Sequence, residues 1–387
     1  MNFIRQGKII MTTDNIDELE EFEEFEDQSG EDESEPVEIP KEVRHLRTQS
    51  YDKSVNDLVS MIEDKDIDLD PDYQRNYLWE NKKASLLIES ILLNIPIPVI
   101  YVAENEESQW NVIDGLQRLN SLFRFFKNEF KLSRLEILNE LNGLTYHNLP
   151  PKAKRMLKNG MFRVVVLLEE THPEIKYDVF MRLNTGSVRL NEQELRNCLY
   201  RGAFNTFLKD CRKNDHFLTC LKLTAPHKRF ADSELALRFL AIRDDYDLAQ
   251  KCLVSYPGRM KTFLNNFMAK HQDIDETKQE EFRNTFNTCL ENIRNVLGTT
   301  AFRRPLPDGE HESRVNRSLI DVVMLCFSHL TTEQCIENKD YYRQCLINLC
   351  GNEAFNDAIT YGTADSKRIA TRLKMGLIEF GIVEADD

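Results

Sequence analysis

The hydrophobic period changes once along this chain, and that change limits the folds open to it. Between Tyr51 and Leu168 short β-branched runs alternate with helical stripes. Beyond Glu174 the apolar residues recur almost throughout at the three-to-four spacing of a helix. Residues 99–103, 110–113 and 162–168 read as strands. Residues 54–64, with Leu58, Val59 and Ile62 on one face, and 82–93, with Leu87, Ile88, Ile91 and Leu92, read as helices. The prolines of Asn94-Ile95-Pro96-Ile97-Pro98 end the second. In the second half, helical spacing marks 234–242, 260–268, 281–297, 318–330, 340–349 and 367–380. With strands confined to the first half, the expected class is α+β, a mixed domain followed by a mostly helical C-terminal domain, and not a repeating βαβ fold.

Charge divides the chain further. The net charge is −15, yet residues 14–40 contain fourteen Asp or Glu and no Lys or Arg, so the remainder is left near −1. Residues 12–44 are too polar and self-repelling to offset chain entropy by burial. The expected domains are an acidic, unstructured tail at 1–45, a mixed domain at 46–200 and a helical domain at 201–387. The tail reads as a solvating segment. With Phe22 and Phe25 interleaved it also fits a polyanion that competes with nucleic acid or docks a partner. Because the acidity is local, a pI near 5.2 does not exclude DNA.

Nine cysteines occur with no Cys-x-x-Cys pair, which points to reduced thiols and away from zinc. The start of the chain has no secretion-like apolar segment, and no apolar run approaches the ~20 residues of a membrane span. A cytoplasmic protein with no membrane partner is expected.

Three clusters could carry chemistry. In Trp110-Asn111-Val112-Ile113-Asp114-Gly115-Leu116-Gln117-Arg118 a strand ends, Gly115 turns, and a helix follows with Leu119, Leu122, Phe123 and Phe126 on its apolar face. Such a helix start offers free N–H groups and a positive dipole end to an anion. Arg118 suits a bidentate phosphate contact, and Asp114 suits a divalent metal or a water. The same residues also fit a capping box from Asp114 to Gln117 with Arg118 as a surface charge. In the second cluster, 71–79, Gln74 and Arg75 suit phosphate or base and Tyr73 and Trp79 suit stacking; Trp79 and Tyr77 equally suit the core. In the third, 180–197, Asn184, Gly186, Asn191 and Glu194 read as helix ends, while Arg182, Arg189 and Arg196 gather at one bend as a candidate anion pocket. Lys152, Lys154, Arg155 and Lys158 form a basic helical face suited either to DNA or to solvent.

Together these clusters, in this order and spacing, resemble the N-terminal domain of GmrSD-type modification-dependent restriction endonucleases, which looks like the ParB/sulfiredoxin superfamily. The resemblance runs from about Ser54 to Cys198 and more weakly through 229–242 and 315–325. It implies a nucleotide-dependent domain of a bacterial restriction and phage-defence system, with the DGQQR-type box tied to nucleoside-triphosphate hydrolysis and Mg²⁺. Carried over, Asp114, Gln117 and Arg118 would be catalytic, with Asp114 also the metal ligand. Gln74, Arg75, Gly115, Arg118 and Asn184 would bind nucleotide. The first Gln of the box is Leu116 here, which leaves hydrolysis or sensing open. The sequence has no His-Asn-His nuclease pattern, so the expected partners are nucleotide, DNA, and a partner nuclease or a second copy of the chain.

Overall fold

A computed structural model of the protein describes residues 46–69, 79–105, 107–183, 191–306 and 309–385. The chain folds into two compact units. One comprises the described residues up to Asn191 together with Leu195–Leu199; the other comprises Glu192–Glu194 and Tyr200 onward. The class is α+β, with a mixed sheet near the N-terminus and a mostly helical C-terminal region.

The first unit is built on β1 (Thr48–Ser54), α1 (Val55–Glu63), β2 (Ile67–Asp68), α2 (Asn81–Leu92), β3 (Ile100–Glu104), β4 (Trp110–Asp114), α3 (Leu116–Phe126), α4 (Pro151–Lys158), β5 (Met161–Leu167) and α5 (Pro173–Leu183). The strands form one five-stranded sheet in the order β1-β5-β3-β4-β2. β1 runs antiparallel to β5, β5 parallel to β3, β3 antiparallel to β4, and β4 parallel to β2. β1 and β2 are absent from the sequence expectation. Thr48–Ser54 is polar and mostly exposed, so its strand character comes from pairing with β5 over seven residues and leaves no hydrophobic alternation to read.

Alternation of side chains gives the sheet two faces. Ile100, Val102, Trp110, Val112, Phe162, Val164 and Val166 bury against α1, α2, α3 and α4 in the main core. Ala103, Ile113 and Leu167 point the other way, toward Tyr177, Leu195 and Cys198. Ser54 starts α1 with a capping box to Asp57, and Val55, Leu58, Val59 and Ile62 form its buried stripe. On α2, Glu89 is buried and accepts three backbone N–H bonds, from Glu136 (3.1 Å), Ile137 (2.8 Å) and Leu138 (2.8 Å). Burial opposes its charge, but these three donors outweigh it and hold the carboxyl below the usual glutamate range.

α6 (Glu192–Leu199) follows, and the helical unit then holds α7 (Ala203–Cys211), α8 (Asp215–Leu221), α9 (Ala231–Asp245), α10 (Met260–Lys270), α11 (Glu276–Leu297), α12 (Arg317–Phe327), α13 (Thr332–Glu337), α14 (Lys339–Gly351), α15 (Glu353–Thr360) and α16 (Ser366–Glu379). All six helical stretches read from the sequence fall on these helices. One expectation fails: strands are not confined to the first half. A small hairpin of β6 (Tyr246–Asp247) and β7 (Cys252–Leu253) interrupts the helices. Two-residue strands carry too little period-2 signal to be read. None of the nine cysteines forms a disulfide, and eight of them are buried. Among the described residues no helix is long and apolar enough to cross a membrane.

Candidate functional site

The strand-turn-helix at β4 and α3 is present as read, but its wiring differs from the simplest reading. Gly115 is the N-cap of α3 with φ +106°, a left-handed conformation that an L side chain resists. An added Cβ would also meet Ile100 Cγ1 at 3.0 Å. No side chain caps the helix, so the capping box from Asp114 to Gln117 does not form.

Arg118 is not a surface charge. It is buried, and it donates to the carbonyl of Pro98, to that of Val99 (3.3 Å) and to Asp114 Oδ2 (2.9 Å). Burial draws its pKa down, and Asp114 opposes that shift. The guanidinium thus ties the end of the Ile95–Pro98 segment, the start of β3 and the end of β4 to α3. It is oriented by protein acceptors, which favours a positioning role over a freely presented phosphate clamp. Asp114 remains about half exposed. Its Oδ2 is engaged by Arg118, while its Oδ1 has no hydrogen-bond partner among the described residues. The pair thus leaves one carboxylate oxygen, fixed in place, beside a helix start.

Leu116, where the family box has Gln, packs partly buried against the main core. The apolar residue suits that position. The apolar face of α3 is also shifted from the sequence reading. Leu119, Leu122 and Phe125 are fully buried, whereas Phe126 stacks on Tyr146 with ring centroids 4.3 Å apart.

The other clusters are placed in part. Gln74, Arg75, Tyr73, Tyr77, Asn184, Gly186 and Arg189 lie outside the described residues. Trp79 packs against the main core, with Lys83 Nζ 4.5 Å from its ring centroid, so it does not stand free to stack on a base. Arg182 is exposed on α5 while Arg196 is 1% exposed in α6, and the bend between them, with Arg189, lies outside the described residues. Glu194 bonds Arg229, Nη2 to Oε2 at 2.9 Å, a partner 35 residues away that the local pattern could not reveal. On α4, Lys152, Arg155 and Lys158 are exposed. Lys154 instead donates to the His147 carbonyl at 2.6 Å. Sequence reasoning missed Glu89 and the carbonyls of Pro98 and Val99, because backbone acceptors leave no mark on residue type.

This geometry defines an α+β domain whose sheet presents a strand end, a glycine turn and a helix start, braced by a buried arginine. Residues 55–201 match the family described as GmrSD restriction endonuclease, N-terminal domain, the family that the order of motifs resembles. The match covers α1 through α6. The weaker continuation read at 229–242 and 315–325 lies beyond it. No curated protein and no solved structure matches the chain.

Proposed function

We propose that this chain binds a nucleoside triphosphate at the β4–Gly115–α3 turn and hydrolyses it with Mg²⁺, as the nucleotide-responsive component of a restriction-type defence system acting on foreign DNA. The observation that carries the reading is the start of α3, N-capped by Gly115, beside a half-exposed Asp114 that Arg118 holds in place. First-turn amides and the positive end of the helix suit phosphate oxygens. Asp114 Oδ1 suits Mg²⁺, which is usually held by one or two carboxylates together with substrate phosphates. Among the described residues no three acidic, His or Cys side chains cluster for a metal, so the phosphates would complete its shell. Bound there, the ion would offset charge on the phosphates during transfer. Gln117, on the same turn, would orient the attacking water, and Arg118 would keep Asp114 in register.

A second reading is favoured by Leu116. Its apolar side chain offers nothing polar to the terminal phosphate, which suits a sensor that binds nucleotide without turnover and signals to a partner nuclease. DNA would meet Lys152, Arg155 and Lys158 on α4.

Phosphate release from each of four ribonucleoside triphosphates, with Mg²⁺ and with or without DNA, tests the proposal against Asp114→Asn. This substitution leaves Arg118 its carbonyl acceptors and so separates chemistry from folding. Turnover lost in the variant supports hydrolysis. No turnover, with a nucleotide-dependent rise in melting temperature lost in the variant, supports the sensor. Neither effect in the wild type overturns both.

A further inference from the structure

The helical unit contains a cleft of about 560 Å³, which opens where α9 runs into the β6–β7 hairpin and receives His329 from the end of α12. Its volume lies in the range of small-ligand sites, roughly 300–1,000 Å³. Three of its lining residues carry buried polar atoms with no hydrogen-bond partner among the described residues: Arg243 Nε, Tyr246 OH and His329 Nε2. Tyr246 is only 7% exposed. Buried polar atoms are rarely left unmatched, because each lost its hydrogen bond to water on folding.

The acidic residues around the cleft do not supply the missing acceptors. Asp244 faces Lys270 (3.3 Å) and Lys278 (3.2 Å). Asp245 accepts from Ser255 through both its amide and hydroxyl. Asp247 accepts from the amides of Ala249 and Gln250 and from the Gln250 side chain. Each carboxylate is thus turned to its own partners; Asp244 and Glu281 favour the charge of Arg243 from a distance, but Arg243 makes no ion pair among the described residues. Burial, with Arg243 beside it, lowers His329 to a pKa of about 4, so at neutral pH the imidazole is uncharged and Arg243 is the cation to be matched. At the cleft's lip Leu248 and Val254 are 36% and 66% exposed, an apolar surface next to the guanidinium, the phenol and the imidazole nitrogen.

We propose that this cleft binds a small organic oxyanion, a carboxylate or a phosphate monoester on an apolar body, with Arg243, Tyr246 and His329 meeting the oxyanion and Leu248 and Val254 meeting the apolar part. The site lies wholly within the helical unit and does not depend on the nucleotide reading.

Benzoate and phenyl phosphate serve as probes, with acetate and inorganic phosphate as controls lacking the apolar body. The full-length chain, labelled at arginine, is titrated while the Arg243 Nε–H resonance is followed, that signal being assigned by its loss in Arg243→Lys. Saturable movement with either aromatic probe, at least tenfold tighter than with its control, is expected, and the stronger probe names the oxyanion. Affinity read from the melting temperature should fall at least tenfold in Arg243→Lys and in His329→Gln, and should be unchanged in Asp114→Asn. No saturation with either probe, control anions binding as tightly, or affinity kept in both cleft variants overturns the proposal.

Discussion

A guanidinium taken out of water needs acceptors to replace its hydration, and Arg118 finds three: the carbonyls of Pro98 and Val99 and the carboxylate of Asp114. Arg118→Ala is expected to lower stability by about 1–3 kcal/mol, because the carbonyls of Pro98 and Val99 lose a charged donor. Asp114→Asn should cost less than about 1 kcal/mol, since the carboxylate is about half exposed and screened and Arg118 keeps its two carbonyl acceptors. Urea titration of the two variants checks this ordering, and equal losses would remove the positioning role. At Gly115, substitution by Ala forces a Cβ into a left-handed turn at 3.0 Å from Ile100. A loss of about 1–2 kcal/mol is expected, with weakened nucleotide binding wherever binding is measured. Glu89 carries the acid sensitivity of this region. Its folded pKa lies below the ordinary value, so its contribution is complete above that value and is lost as pH falls through the lowered one. Glu89→Gln should destabilise by about 1–3 kcal/mol at pH 7, with a smaller penalty below about pH 4. Melting curves across that range show whether the gap closes.

At the scale of elements, α3 illustrates how one helix serves both core and site. Its buried stripe fixes its rotation, and that rotation sets Leu116 against the core while Asp114 and Gly115 stand at its start. Leu116→Gln, which restores the polar residue of the family box, is therefore expected to cost about 1 kcal/mol of apolar burial and to leave nucleotide turnover within a few-fold. A large gain in phosphate release would show instead that the side chain reaches the ligand. The β6–β7 hairpin plays a comparable part in the helical unit. Four residues of strand are enough to end α9 and bring Tyr246, Leu248 and Val254 to one cleft.

Over the whole molecule, the helical unit is organised round a buried charge cluster. Asp321 on α12 accepts from Arg238 on α9, at 3.0 and 2.6 Å, and from Arg372 on α16, at 3.0 Å. All three are almost fully buried. Removing the anion leaves two guanidinium groups facing each other without compensation. Asp321→Asn is thus expected to cost about 3–5 kcal/mol in the helical unit. Circular dichroism during thermal unfolding would detect it as an early loss of helical signal. A change under about 1 kcal/mol would mean that the neighbouring carbonyls alone satisfy both arginines.

The sequence by itself determined the class of the fold, the six long helical stretches of the second half, three of the strands and the turn at Gly115. Each is written in local terms, as a hydrophobic period or as a residue whose backbone freedom the turn requires. Its order of motifs also pointed to the GmrSD N-terminal family over the segment that matches. Tertiary structure alone decided that β1 is a strand, since only pairing with β5 makes it one, and that Arg118 is buried against Pro98 and Val99 carbonyls and not offered to solvent. It also decided that Glu89 pins a loop nearly fifty residues away, and that Arg243, Tyr246 and His329 share a cleft. The physical reason is common to all four: a hydrogen bond to a distant backbone group, or a meeting of side chains from separate elements, depends on positions in space that neither residue type nor local spacing records.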